Sequence, residues 1–160
     1  MDLGLKGKKV LVTGSTKGLG RAIAEAMLAE GASVAICARN AEEVAAAVTE
    51  MSKLGKVVGA SVDAADPEAL RAWVASSAEQ LGGIDVYVHN TSGKPARKLE
   101  AWINNFNIDL MSLVHGVDAA KEALANGGGS VISIGTTATS EHFASGSGSY
   151  SAMKSAVVNW

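Results

Sequence analysis

A single cysteine, Cys37, among 160 residues rules out an internal disulfide, so the chain relies on burial for its stability and suits a reducing compartment. Cys37 lies in an apolar run and reads as a small core residue. An excess of charge is also missing. With 14 basic and 16 acidic residues the net charge is −2, which removes the electrostatic ground for binding nucleic acid or an anionic membrane. No uninterrupted apolar run is long enough to span a bilayer, and the opening MDLGLKGKK has no apolar region of the signal-peptide kind. Low-complexity runs, internal repeats and an interdomain linker are absent too. What remains is one globular domain over residues 1–160, expected in the cytoplasm, whose 48% hydrophobic and 19% charged residues fit an α/β protein with a real core.

The most informative stretch that is present runs from Lys8 to Leu28, KKVLVTGSTKGLGRAIAEAML. The apolar run Val10, Leu11 and Val12 meets Thr13 and Gly14, and Gly18 and Gly20 then open a segment with apolar residues at helical spacing. Strand, glycine turn and helix follow in that order. Such a turn needs unusual backbone angles, and a phosphate can touch backbone only where no side chain intervenes. The first N–H groups of the helix and its positive dipole end would face the anion. Gly14, Ser15, Thr16, Lys17, Gly18, Leu19 and Gly20 therefore read as a phosphate cradle for a dinucleotide. The spacing is GxxxGxG rather than the usual GxGxxG, and a tight turn with no ligand would use glycine as well.

Along the rest of the chain, apolar strands alternate with helices. ASVAICA (32–38) reads as a parallel strand covered on both faces, NAEEVAAAVTEMSKL as a helix, and KVVGASVD (56–63) as a third strand. Asp66, Pro67 and Glu68 supply an N-cap, a first-turn proline and first-turn acid for a helix to about Leu81, stopped by Gly82 and Gly83. IDVYVHN (84–90) is a fourth strand, residues 99–125 one long helix, SVISIG (130–135) a fifth strand, and YSAMKSAVVNW the start of another helix. The pattern predicts right-handed βαβ units in a doubly wound parallel sheet, a three-layer α/β/α Rossmann-type fold. The last helix has no stop signal before Trp160, and five strands are one fewer than the usual six. A longer parent is expected, with the last strands and the substrate-covering segments beyond this chain. SVISIG would then be an exposed edge here, although its sequence suits burial, and these residues alone should be sticky or unstable.

By Lys154 the chain resembles the short-chain dehydrogenase/reductase family, nearest in general look to 3-oxoacyl-(acyl-carrier-protein) reductases. The resemblance covers all 160 residues: TGxxxGxG at Thr13 to Gly20, an aspartate after the third strand at Asp63, a variant of NNAG after the fourth, and YxxxK at Tyr150 to Lys154. It implies a nicotinamide cofactor and an alcohol–carbonyl reaction on a small molecule. Residues four apart share a helix face, so the Lys154 ammonium can sit beside the Tyr150 phenol and favour its phenolate, which suits a general acid or base. Alone, the pair would read as one aromatic and one surface lysine.

Three departures accompany the resemblance. The family's substrate-orienting serine aligns with Thr136, with Thr137 as the alternative; a threonine hydroxyl has the same donor and acceptor capacity. In FNIDLMS, Asp109 stands where the family carries an asparagine that holds a relay water. Asp109 is either part of that relay or a solvated helix residue, and Asn105, unlike Asn107, shares its face. The NNAG variant reads His89, Asn90, Thr91, Ser92, Gly93. The resemblance implies that Asn90 steadies the central strands and that Gly93 allows close approach to the cofactor, whereas His89 reads as a packed or hydrogen-bonding residue. His115 and His142 have no partners at metal spacing, so no metal site is expected.

No acid stands at the end of the second strand, where NAD enzymes commonly bind the ribose 2′-hydroxyl, and Arg39 follows Ala38 instead. With Lys17 it implies NADP(H), unless both are simply solvated. Asp63 resembles the residue that meets adenine, its rival role being a turn former. The expected function is an NADP(H)-dependent reductase or dehydrogenase of a ketone or secondary alcohol, with Thr136, Tyr150, Lys154 and Asp109 at the chemistry, Tyr150 and Lys154 also binding the cofactor and Lys154 holding its ribose. The alternative is an NADP(H)-binding sensor or regulatory protein without turnover. The resemblance also implies a homo-oligomer, dimer or tetramer, packed through the long helix, with its Leu110, Leu113, Val114 and Val117, and through the YxxxK helix, while Trp73 and Trp102 read as packing residues rather than substrate platforms.

Overall fold

Alternation along the strands sets the architecture. In β1 (Lys9–Thr13), Val10 and Val12 face one side of the sheet and Leu11 the other, and all are fully buried. A computed structural model describes residues 2–94, 98–126, 128–141 and 148–160. In it α1 (Gly18–Ala29), β2 (Ser33–Ala38), α2 (Ala41–Met51), β3 (Val57–Ser61), α3 (Pro67–Leu81) and β4 (Val86–His89) follow β1. Next come α4 (Leu99–Asn105), a π-helical segment (Phe106–Met111), α5 (Ser112–Ala125), β5 (Ser130–Ser133), a 3₁₀ turn (Thr137–Thr139) and α6 (Gly148–Asn159). The strands pair in parallel in the order β3-β2-β1-β4-β5. This is the expected doubly wound sheet.

Two apolar layers cover it. On one face Val10, Val12, Val34, Ile36, Val86 and Val88 pack against Ala24 and Leu28 of α1 and Ala47 and Met51 of α2. On the other, Leu11, Ala35, Cys37 and Tyr87 meet Leu70, Trp73 and Val74 of α3 and Ala120 and Leu124 of α5. Each large side chain so buried contributes about 1.5–3 kcal/mol. Cys37 and Trp73 are core residues, as expected, and burial pushes the Cys37 thiol up to about 12, so it is inert. Tyr87 reaches beneath Gly116, where any Cβ would overlap its phenol, and its hydroxyl is buried with no partner among the described residues. Asp66 Oδ1 accepts from the Glu68 and Ala69 backbone N–H groups, and Gly82 closes α3 with φ 81°.

The expected long helix differs in its middle. Through Phe106–Met111 the helix widens to π geometry, where Ser112 Oγ donates to the Ile108 carbonyl. The helix phase also revises the apolar face. Leu113 is buried and Val117 packs against the core, whereas Leu99, Trp102, Ile103 and Phe106 are exposed, so Trp102 is not a core residue. β5 is an edge strand, with Val131 and Ile132 about 40% exposed (42% and 40%). No described helix is long and apolar enough to cross a membrane.

Candidate functional site

Two clusters form at the carboxyl ends of the strands, where open α/β sheets place their ligands. The first is a cleft of about 440 Å³ whose lining includes Gly14, Thr16, Lys17, Arg39, Asp63 and Asn90. Its floor is built by short-range chemistry. Gly14 and Gly18 take φ 62° and 59°, a left-handed backbone that glycine adopts freely. Lys17 stands at the N-cap of α1 and makes no side-chain capping bond, so its own side chain does not compete for the first-turn N–H groups. Asn90 Nδ2 donates to the Thr13 and Gly14 carbonyls at 3.2 and 2.9 Å, and a Cβ at Gly20 would run into that amide. Thr13 Oγ1 accepts from the Asn90 and Thr91 N–H groups at 3.0 and 3.2 Å, joining the ends of β1 and β4.

Not every expected cradle residue faces the cleft. Ser15 is buried, donating to the Val12 carbonyl at 2.7 Å and accepting from the Cys37 N–H at 3.2 Å, so its hydroxyl is committed between β1 and β2. The Leu19 side chain is exposed and outside the lining, and Gly18 and Gly20 shape the turn without lining the cleft. Asp63 lines it and also accepts from the Ala65 N–H at 3.0 Å, the contact of a turn former. Lys17 is not a free cation: its Nζ lies 3.4 Å from Glu43 Oε2. Glu43 is therefore an acid in the cleft that sequence inspection missed.

The second cluster centres on a fully buried carboxylate. Asp109 Oδ1 accepts from Ser92 Oγ at 2.7 Å and lies 3.6 Å from Lys154 Nζ; Oδ2 accepts from Asn105 Nδ2 at 2.7 Å; and the Gly93 N–H lies 3.2 Å from both oxygens. Asp109 is thus no solvated helix residue, and Asn105 is the face-sharing partner. Gly93 approaches Asn105 and Asp109 rather than the cleft, since a Cβ there would overlap the Asn105 amide. Ser149 Oγ donates to Asn105 Oδ1 at 3.0 Å, fastening the start of α6 to the π segment. Lys154, 2% exposed, also donates to the Ile134 carbonyl beyond β5 at 3.0 Å. Burial pushes its ammonium below the ordinary lysine range, with Asp109 opposing the shift. Tyr150 is half-buried on the same helix, one turn before Lys154. Thr136 caps the 3₁₀ turn, its Oγ1 accepting from the Ala138 N–H at 3.3 Å, while Thr137 is exposed. Tyr150, Lys154 and Thr136 do not line the cleft.

His89 is packed, as expected. Ser112 gives its proton to the Ile108 carbonyl, so its oxygen accepts from His89 Nε2 at 2.7 Å, and Nδ1 is left as a buried acceptor with no partner among the described residues. Burial, aided by the nearby Lys154 charge, lowers the imidazole to about 3 from an unfolded value of 6.5. The folded state then binds fewer protons between those values. Stability should be intact above pH 6.5 and fall as pH drops below it, by up to about 1.4 kcal/mol per pH unit. Thermal unfolding of the protein and of His89→Asn across the mildly acidic range checks this. The variant should lose much of the acid slope; equal slopes would assign it elsewhere. His115 lies 3.4 Å from an Arg71 nitrogen, and His142 falls outside the described residues. Among the described residues no three His, Cys, Asp or Glu groups converge on a metal position.

Comparison with known proteins bears on the fold and the family. Residues 8–160 match the short chain dehydrogenase family. Isoepoxydon dehydrogenase patN of Penicillium expansum is 38% identical over 126 residues, which cover 75% of this chain and 48% of that protein. A short chain dehydrogenase from Burkholderia cenocepacia J2315, solved in complex with NADP, superposes with a TM-score of 0.91 at 32% identity, over 98% of this chain and 66% of that one. Carveol dehydrogenase from Mycobacterium avium, solved in complex with NAD, gives 0.88 at 28% identity, over 96% and 63%. The chain spans about half the length of the curated relatives it matches and, through its strand order, glycine turn and YxxxK helix, it belongs to the short-chain dehydrogenase/reductase family of nicotinamide-dependent oxidoreductases.

Proposed function

We propose that the protein is an NADP(H)-dependent oxidoreductase acting between a ketone and a secondary alcohol, with 3-oxoacyl compounds as one candidate substrate class. The observation that carries the cofactor choice is that Arg39 and Lys17 line one cleft. Arg39 is exposed, and no carboxylate among the described residues pairs with it. Family neighbours hold NADP in one case and NAD in another, so the choice rests on these two cations. The glycine turn fits a pyrophosphate, because the N-cap side chain makes no capping bond to its first-turn N–H groups and Gly14 lines the cleft without a side chain of its own.

A bound nicotinamide would give or take the hydride. Tyr150 then delivers a proton to the substrate oxygen in reduction and removes it in oxidation. Thr136 uses its oxygen to cap the turn, which leaves its O–H proton for the substrate oxygen. Lys154 holds a positive charge on the Tyr150 helix, and Asp109 positions that charge. The exposed face of Leu99, Trp102 and Ile103, continued by Phe106 at the start of the π-helical segment, supports a homo-oligomer packed through this part of the long helix. Cytoplasmic placement accords with the reduced, buried Cys37.

The test is a fluorescence titration with NADPH and NADH at fixed salt, using the protein and Arg39→Ala. NADPH should bind more tightly, and the variant should lose about tenfold or more of that affinity, as expected for one charge-assisted phosphate contact. Equal binding of both dinucleotides, unchanged in the variant, would remove the phosphate site. A binding protein without turnover is the second reading, favoured by the Asp109 carboxylate engaging Lys154 in a site where the family carries a neutral amide.

A further inference from the structure

β2 ends without an acid, yet α2 brings one to the same place. Asn40 Oδ1 accepts from the Glu43 backbone N–H at 3.0 Å, which fixes the first turn of α2 and sets Glu43 at its third position. From there the carboxylate reaches back across the cleft to the glycine turn. Its Oε2 accepts from Thr16 Oγ1 at 3.3 Å and lies 3.4 Å from Lys17 Nζ, and Oε1 accepts from Lys17 at 3.5 Å. Glu43, Lys17 and Arg39 line one cleft. The Lys17 side chain is 80% exposed and that of Glu43 43%, so their ion pair is solvated, screened by salt and cheap to open.

A carboxylate accepts a hydrogen bond from a hydroxyl but repels a phosphate, whereas a lysine or arginine favours the phosphate. Dinucleotide-binding sheets commonly read the ribose 2′ position with an acid about 20 residues beyond the glycine fingerprint, and Glu43 comes at a similar remove from Gly20. We infer that Glu43 admits NAD(H) to this cleft: its carboxylate accepts the free ribose 2′-hydroxyl, and it yields Lys17 when a 2′-phosphate is present. The inference rests on the proposed reading of the dinucleotide's ribose 2′ position by Lys17 and Arg39. One position thus holds both signs of charge, and discrimination between the dinucleotides is smaller than two unopposed cations would set.

Glu43→Gln keeps the length, the helix position and the cleft shape while removing the charge. Fluorescence titrations at fixed ionic strength, with NADH and NADPH as probes, should show NADH binding about five- to tenfold weaker in the variant and NADPH binding tighter. The change for NADPH should vanish when Glu43→Gln is made in a Lys17→Met protein, and the loss for NADH should persist there. Unchanged NADH affinity overturns the assignment, and so does an equal loss for both dinucleotides, which would report general damage to the cleft. The phosphate site fails separately. If Arg39→Ala leaves NADPH binding intact while Glu43→Gln still weakens NADH, the carboxylate assignment stands and the phosphate assignment falls.

Discussion

Replacing Tyr150 by phenylalanine should lower kcat/KM by about 10²- to 10⁴-fold while leaving NADPH affinity unchanged. The ring stays and only the hydroxyl goes, so the half-buried position on α6 is filled as before. What disappears is the proton that the substrate oxygen needs as hydride arrives. Lys154 does not replace it. Its Nζ is engaged by the Ile134 carbonyl and Asp109, and it is almost wholly buried. Steady-state kinetics on ketone substrates, alongside the NADPH titration, make the check. Undiminished turnover would take the general-acid role away from Tyr150. A wild-type protein that binds NADPH but turns over none of a broad ketone panel would bring the non-catalytic reading forward.

Asp109→Ala should cost about 3–5 kcal/mol of stability, because it leaves the Lys154 ammonium buried and uncompensated. It also strands the Ser92 hydroxyl, the Gly93 N–H and the Asn105 amide, each of which donates to that carboxylate. For a chain of this size the midpoint of thermal unfolding should fall by roughly 10 °C. Asp109→Asn should cost less. The new amide oxygen can accept from Ser92 and Gly93, and its NH₂ can face Asn105 if that amide turns over. Ser149 can then accept from the turned Asn105, because a hydroxyl serves in either sense. Circular dichroism melts of the two variants separate these outcomes. Equal melting of Asp109→Ala and the parent would mean that the Asp109 network does not stabilise the fold.

The parts legible in the sequence were those governed by nearby residues. Asp66 with Pro67, Gly82 and the glycine turn each act within a few positions, and strand alternation fixes which side chains face which layer. Arg39, Lys17 and Asp63 could be assigned to one cleft because strand ends and the turns after them converge in a parallel sheet. Glu43 escaped notice because an acid at the third position of a helix already has a local explanation as a capping partner, and its contact with Lys17 spans 26 positions. The widening at Phe106–Met111 was hidden for a related reason. Helical periodicity continues through it, and the Ser112 hydroxyl that meets the Ile108 carbonyl looks like any other helix serine. Asp109 could be aligned but not placed, since its burial depends on Ser92, Gly93, Asn105 and Lys154 arriving from separate elements.

Beneath α5, the phenol of Tyr87 occupies the space that a side chain at residue 116 would need. Divergence at these two positions is therefore coupled. A lineage that gains even a methyl group at 116 must first, or at once, surrender the bulk of the aromatic at 87, so the viable mutational path runs through a cavity rather than through an overlap. A vacated ring costs stability by degrees, whereas two groups in one volume displace a helix from its sheet. The order of such changes is thus fixed by packing before selection for any activity can act on them.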